Sequence, residues 1–308
     1  MRPLLDEIFY WVLNMSIMGT FAGLIVLLVR KVRALPRFAA YLLWLIPAIR
    51  FWVPFGWASK YSLMNIISGL ASRSVRLYRE QPLSEFTYTN FVMAAEDYFP
   101  IEYKTKQLES VFELVSVVWL IMALAALMAF IFFYGRAKRE IGGVIPLGQN
   151  QYLSHKVHSP VVYGIIKPRI ILPEGIRNED LPYILQHERI HIRRLDNLWR
   201  VLAIATACIH WFNPLIWLML KAFFADMELS CDEKVIKRLE PQEQKAYALA
   251  LVNCEVHKSM LASAFGGAGL KTRIEKILSY KRMTVLSSFC FLLFILWLAV
   301  VLLTNTAV

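Results

Sequence analysis

The sequence predicts an α-helical multi-pass membrane protein with a cytoplasmic α+β module, and three observations carry that reading. Of its 308 residues 57% are apolar and only 19% are charged, against roughly 25% charged in an ordinary soluble domain. The apolar residues gather into charge-free runs long enough to cross a bilayer. Lys and Arg cluster beside those runs, and one long segment between them carries short β-branched stretches followed by a helical pattern. Together these exclude a disordered chain, a fibrous repeat and an ordinary cytosolic enzyme. The four cysteines (Cys208, Cys231, Cys254 and Cys290) lie far apart with no CxxC, which argues against a disulfide framework or a cysteine zinc ribbon.

Ile8 to Val29 is 22 residues without a charge, enough to cross a ~30 Å hydrocarbon core. It is too long for the apolar region of a signal peptide, and Asp6 and Glu7 form the wrong flank for one. A second span is expected from Phe38 to about Gly56, interrupted by Pro47, Pro54 and Arg50, the arginine snorkelling to the headgroups. Leu114 to Gly135 is again 22 uncharged residues, and Met283 to Val308 is 26.

The basic residues set the orientation. Arg30, Lys31, Arg33 and Arg37 separate the first two spans, Arg136, Lys138 and Arg139 follow the third, and Lys281 and Arg282 precede the last. All three clusters are expected in the cytoplasm. The expected organisation is two spans joined by a basic cytoplasmic loop over 1–57, an extracellular loop over 58–113, a third span over 114–135, a cytoplasmic module over 136–282 and a last span over 283–308. Both termini then lie outside the bacterial cell membrane. Topology thus absorbs much of the formal charge of +11, and direct nucleic-acid binding is not expected.

Within the module, residues 141 to 175 read as extended structure. Val161 to Lys167 and Arg169 to Leu172 are short β-branched runs bounded by prolines, which suits edge strands or a hairpin. Asn178 is the expected N-cap of the following helix, with Glu179 and Asp180 in its first turn. That helix contains His187-Glu188-Arg189-Ile190-His191.

This is H-E-x-x-H. Spacing of i and i+4 puts both imidazoles on one helical face, close enough to share one Zn²⁺, with Glu188 beside the open position as general base. From the composition, chance would produce about 0.006 such matches in a chain of this kind, although a solvated helix with two histidines has the same pattern. A third protein ligand is needed, and His210, Asp226, Glu228, Asp232 and Glu233 are the downstream candidates. Glu228 and Asp232 are also i and i+4, so one carboxylate can ligate while the other orients a ligand histidine. Alone, that pair is the pattern of a surface helix. His210, beside Trp211, reads as a packed or interfacial histidine.

His187 to Asp196, then His210-Trp-Phe-Asn-Pro214, then Glu228-Leu-Ser-Cys-Asp232 resemble the metallopeptidase of the BlaR/MecR-type antirepressor family. Val161-Val-Tyr-Gly164 and Ile170-Ile-Leu-Pro173-Glu174 resemble the block before that family's zinc helix, and the likeness runs over about residues 1 to 305. It implies a gluzincin-type zinc metalloprotease module in which His187, His191 and Glu228 bind Zn²⁺. Glu188 is then the general base and Asp232 orients a ligand. It also implies cleavage of a cytoplasmic transcriptional repressor in response to an antibiotic or envelope-stress signal, linked to self-cleavage near the last span, where Lys281 and Arg282 lie. Antibiotic-sensing members carry a C-terminal penicillin-binding domain with an S-x-x-K serine. This chain ends at Val308 and contains no S-x-x-K, so the signal is expected through the 57–113 loop or a partner, or else the chain is truncated.

Expected partners are the lipid bilayer, the repressor and a second copy of the chain. A constitutive quality-control or processing protease of the membrane is the alternative activity, and a receptor with structural zinc a third, which the presence of Glu188 argues against. Val201 to Leu220 is also 20 residues without a formal charge. A single span there would part His191 from Glu228 by about 30 Å, so with Pro214 inside it the stretch is read as two shorter helices.

Overall fold

The computed structural model describes residues 2–32, 34–53, 56–63, 106–255, 268–281 and 284–306. Most of the expected extracellular loop, and Arg282, lie outside the described residues. Helix α1 (Arg2–Val29), helix α4 (Lys106–Glu140) and helix α10 (Val285–Leu303) hold the long apolar runs. Among the described residues these three are long and apolar enough to cross a membrane, over Leu4–Val29, Glu113–Arg139 and Leu286–Leu303.

The stretch expected as a second span differs. It forms two short helices, α2 (Arg37–Leu43) and α3 (Leu45–Trp52), divided at Trp44. Pro47 falls in the first turn of α3, where its missing N–H costs no helical bond. Arg50 does not snorkel. It is only 1% exposed, and it donates to the Leu302 and Thr304 carbonyls at 2.8 Å and to Asn305 Oδ1 at 3.0 Å. The C-terminal carbonyls of α10 lack helical partners, and a guanidinium supplies them.

The last apolar run is helical only to Leu303. Beyond it, β6 (Asn305–Thr306) pairs in parallel with β1 (Ala58–Ser59).

Four strands form the module's sheet: β2 (Ile145–Gly148), β3 (Gln151–Ser154), β4 (Val161–Tyr163) and β5 (Arg169–Pro173), in the order β2-β3-β5-β4. The β4–β5 pair is an antiparallel hairpin with β4 at the edge, while β3 and β5 run parallel. Val162, Ile170 and Leu172 pack against Ile184 of helix α5 (Leu181–Arg193). This seats the H-E-x-x-H helix on the sheet. The N-cap of α5 is Asp180, not Asn178, and no side chain caps it. Asp180 instead accepts from Asn253 at 2.9 Å.

Helix α6 (Asp196–Ile209) and helix α7 (Pro214–Ile236) divide the 201–220 stretch between them. Asn213 caps α7 by accepting from the Leu215 amide at 3.0 Å. Its own amide donates to Ser16 and Thr20 of α1 at 2.9 and 2.6 Å, which ties the turn to the first helix. Close approach is a sequence property here: a Cβ on Gly19 would sit 2.7 Å from the Phe51 ring. Val26, Leu43, Ala207, Met219 and Leu298 meet in one core between these helices. Helix α8 (Pro241–Glu255) and helix α9 (Leu270–Leu278) close the module over α7, with Cys231, Val235, Tyr247 and Ile277 fully buried between them.

Candidate metal centre

His187, Glu188 and His191 stand on α5, and Glu228 and Asp232 on α7. All five are 9% exposed or less, or, for Glu228, 14% exposed at the side chain. The Nε2 atoms of His187 and His191 lie 3.0 Å apart. Glu228 faces both, Oε2 at 3.6 Å from His187 Nε2 and Oε1 at 3.8 Å from His191 Nε2. Ligand atoms about 2.0–2.2 Å from one tetrahedral zinc are separated by roughly 3.3–3.6 Å. The donor types suit a zinc ion, with a different Glu228 oxygen facing each imidazole at close to these separations.

The Nδ1 atoms point away from that space, and each has a partner. Tyr247 OH lies 2.8 Å from His187 Nδ1 and 2.6 Å from Asp232 Oδ1. An ionised carboxylate only accepts, so Tyr247 donates to Asp232 and accepts from His187. His191 Nδ1 lies 2.6 Å from Asp196 Oδ2. Both imidazoles then carry their proton on Nδ1 and present a bare Nε2 to the metal.

Charge around the site is tightly paired. Arg273 of α9 forks Asp232, with Nε and Nη2 both at 2.7 Å from its oxygens. Arg200 reaches Glu228 Oε1 at 2.7 Å. Burial alone would raise the Asp232 carboxyl, but Arg273 holds it well below the usual carboxylate range. Burial would likewise raise Glu228, and the two histidines with Arg273 hold it well below its ordinary value. The imidazoles run the other way: burial would lower them, yet Cys231 and Tyr247 at His187, and Cys231 and Glu228 at His191, hold them well above theirs. This is a pocket built for positive charge on the Nε2 side.

Cys231 is the residue that spacing arguments passed over. Its thiol sits within 4.8 Å of both imidazoles and is fully buried, so it too could hold a metal. Its Sγ, however, lies 3.4 Å from the His187 carbonyl oxygen and can donate to it, on the main-chain side of α5. Glu228 faces the two bare Nε2 atoms, so Glu228 and Cys231 are both candidate third donors.

The other downstream candidates go elsewhere. Asp226 is fully buried and accepts from Arg30 at 2.6 and 2.8 Å and from Trp44 Nε1 at 2.8 Å. Glu233 caps α2 by accepting from the Phe38 amide at 2.7 Å. His210 packs on Phe51 with ring centroids 5.0 Å apart. Lys281 is exposed in the link between α9 and α10. Sequence reasoning gave no role to Asp196, Arg200, Tyr247 or Arg273. Of these only Asp196 had a local signal, its place five residues after His191.

Glu188, between the ligand histidines, faces α8. After burial, the charges of Asp180 and Glu188 are the main causes that push the Cys254 thiol up to about 11. A carboxylate next to His187 on the same helix is a candidate to take a proton from water.

Over 124 residues the chain is 29% identical to the regulatory protein BlaR1 of Bacillus licheniformis, covering 39% of this chain and 21% of that protein. Over 110 residues it is 30% identical to the methicillin resistance mecR1 protein of Staphylococcus aureus (strain Mu50 / ATCC 700699), covering 34% of this chain and 19% of that one. The matched stretches thus span about a fifth of these relatives' length. The family model described as BlaR1 peptidase M56 matches residues 10–279, and the chain belongs to that metallopeptidase family.

Proposed function

We propose that this chain is a membrane-embedded zinc metalloendopeptidase that passes an extracellular signal inward by cleaving a cytoplasmic transcriptional repressor. The observation that carries it is the convergence of His187 Nε2, His191 Nε2 and Glu228, with the Glu228 helix α7 packed against the apolar α1. Zinc held by these residues would supply a Lewis acid for the scissile carbonyl and lower the pKa of a water. Glu188 takes a proton from the attacking water and returns it to the leaving amine. Asp232, through Tyr247, and Asp196 directly hold the two imidazoles in register. The regulatory half of the proposal leans on the relatives, which are named a regulatory protein and a methicillin resistance protein.

In this reading the segment 136–282 is cytoplasmic, both termini are outside, and the link from Lys271 to Thr284 is the self-cleavage region. One structural feature favours the second reading, a constitutive membrane protease. An apolar cavity of about 390 Å³ is walled by Tyr41, Trp44, Trp52, Trp199, Met219 and Phe223, and Tyr41 connects it to Asp196 at 3.1 Å. Comparing the proteome and this protein's fragments between wild type and Glu188→Ala in the native host, under envelope stress, separates the two. Stress-dependent loss of one repressor supports signalling. Stress-independent accumulation of membrane proteins in the variant supports quality control, and no difference in either sinks both.

A further inference from the structure

Peptide hydrolysis places negative charge on the scissile carbonyl oxygen, and a fixed donor aimed at that oxygen in a shielded site contributes about 10²–10³ in rate. The donors near the metal space are few. Tyr247 has committed its hydroxyl hydrogen to Asp232 at 2.6 Å. Arg200 is committed to Glu228 at 2.7 Å, and its side chain is 32% exposed.

Arg273 differs from both. It is 6% exposed, and its Nε and Nη2 are spent on Asp232. Among the described residues Nη1 has no acceptor within hydrogen-bond length, Glu228 Oε2 being 3.7 Å away. Nη2 lies 3.5 Å from His187 Nε2. The guanidinium thus borders the space enclosed by the His187, His191 and Glu228 donors, with one N–H group uncommitted there. Its position is well fixed. Ile277, one turn further along α9, is fully buried in the core with Tyr247 and Val235, and the Arg273 amide donates to the Gly269 carbonyl at 3.1 Å.

We propose that Arg273 is a catalytic residue, its Nη1 binding the carbonyl oxygen of the scissile peptide bond as that oxygen gains charge. As the water oxygen bonds the carbonyl carbon, its proton passes to Glu188 and the C=O π pair moves onto the oxygen facing Nη1. Collapse restores the C=O bond and breaks C–N, and Glu188 gives its proton to the leaving nitrogen. One water is consumed, and a carboxyl and an amine are released. Asp232 then serves two purposes, orienting His187 through Tyr247 and aiming Arg273 by a two-point fork that no lysine can reproduce.

This rests on the metallopeptidase reading, and its test separates the two. The full chain in detergent is loaded with cobalt(II), whose visible bands report the coordination sphere, and titrated with inorganic phosphate as a tetrahedral anion. Arg273→Lys keeps a charge beside Asp232 but has no second nitrogen; Arg273→Gln removes the charge. Both are expected to hold one metal per chain and to bind phosphate about 10-fold or more weakly than wild type, the worth of one charge-assisted hydrogen bond. Cleavage of labelled casein should fall about 10²–10³-fold in kcat with KM little changed. Unaltered phosphate affinity in Arg273→Lys overturns the proposal. So does loss of metal in that variant, which would make Arg273 a positioning residue for His187, or faster cleavage, which would make it a plug. A wild-type chain that takes up no metal overturns the metallopeptidase reading itself.

Discussion

Asp196 Oδ2 lies 2.6 Å from Nδ1 of His191, although the two residues belong to different helices. Leu195 turns the chain between them, with φ of 56° in the left-handed region. A non-glycine residue held there costs about 1 kcal/mol or more, and it keeps its side chain exposed. The turn returns a fully buried carboxylate to the back of the zinc-helix histidine. Tyr41 and Arg194 hold the other oxygen at 3.1 Å each.

Asp196→Asn is therefore expected to weaken zinc binding about 10–100-fold, the usual cost of losing a carboxylate behind a ligand histidine. An amide still fills the space, so the helical signal should be unchanged. Competition with a chromogenic chelator measures it. Wild-type zinc affinity in the variant would show that His191 needs no such orientation.

Local spacing is enough to place His187, Glu188 and His191 on one helix and Glu228 and Asp232 on another, because i and i+4 share a helical face whatever surrounds them. Tyr247 and Arg273 carry no such pattern. They reach His187 from 60 and 86 residues away and are recruited by tertiary packing of α8 and α9. Arg50 shows the same limit. A charge near the end of an apolar run reads as snorkelling unless something supplies acceptors, and here the α10 terminus does so from more than 250 residues away. The second expected span is divided into two helices, and hydropathy does not register the break at Trp44, whose indole is spent on Asp226.

The second prediction concerns that aspartate. Asp226 is fully buried, and it joins the end of α1, through Arg30, to the α2–α3 junction, through Trp44. Removing one partner of a buried pair leaves an uncompensated charge and costs about 3–5 kcal/mol. Arg30→Ala should thus lower the Tm of the detergent-solubilised protein sharply, while Trp44→Phe, losing one hydrogen bond, should cost about 1–2 kcal/mol. Equal and small shifts in the two variants would mean that water compensates Asp226.

The Arg50 cluster gives a third. Arg50→Leu removes the donors for the Leu302 and Thr304 carbonyls and for Asn305. Amide exchange should accelerate over 300–306 and over 56–63, which is tied to the same end by the Ser62 hydroxyl and the Leu63 amide. Zinc stoichiometry should not change, since the metal centre shares none of these contacts. Unchanged exchange at 300–306 would show that the β1–β6 pairing holds the terminus by itself.

The last prediction concerns which side of the membrane the metal centre faces. Arg30, Lys31 and Arg37 follow α1, Lys138 and Arg139 end α4, and Lys281 precedes α10. Basic residues beside spans stay in the cytoplasm, so all three flanks favour a centre on the inner side. The helices α6 and α7 meet at the 210–213 turn, and α7 carries Glu228 back to His187 and His191. Neither the donor distances nor the turn permits 201–220 to part these ligands across a bilayer. Lys237, exposed just past α7, and Ala58, exposed in β1, report the two sides. In a background with Cys208, Cys231, Cys254 and Cys290 replaced by alanine, Ala58→Cys should react with an impermeant maleimide on intact cells. Lys237→Cys should react only after permeabilisation. Reaction of Lys237→Cys on intact cells would put the metal centre outside, and cleavage of a cytoplasmic repressor would fall with it.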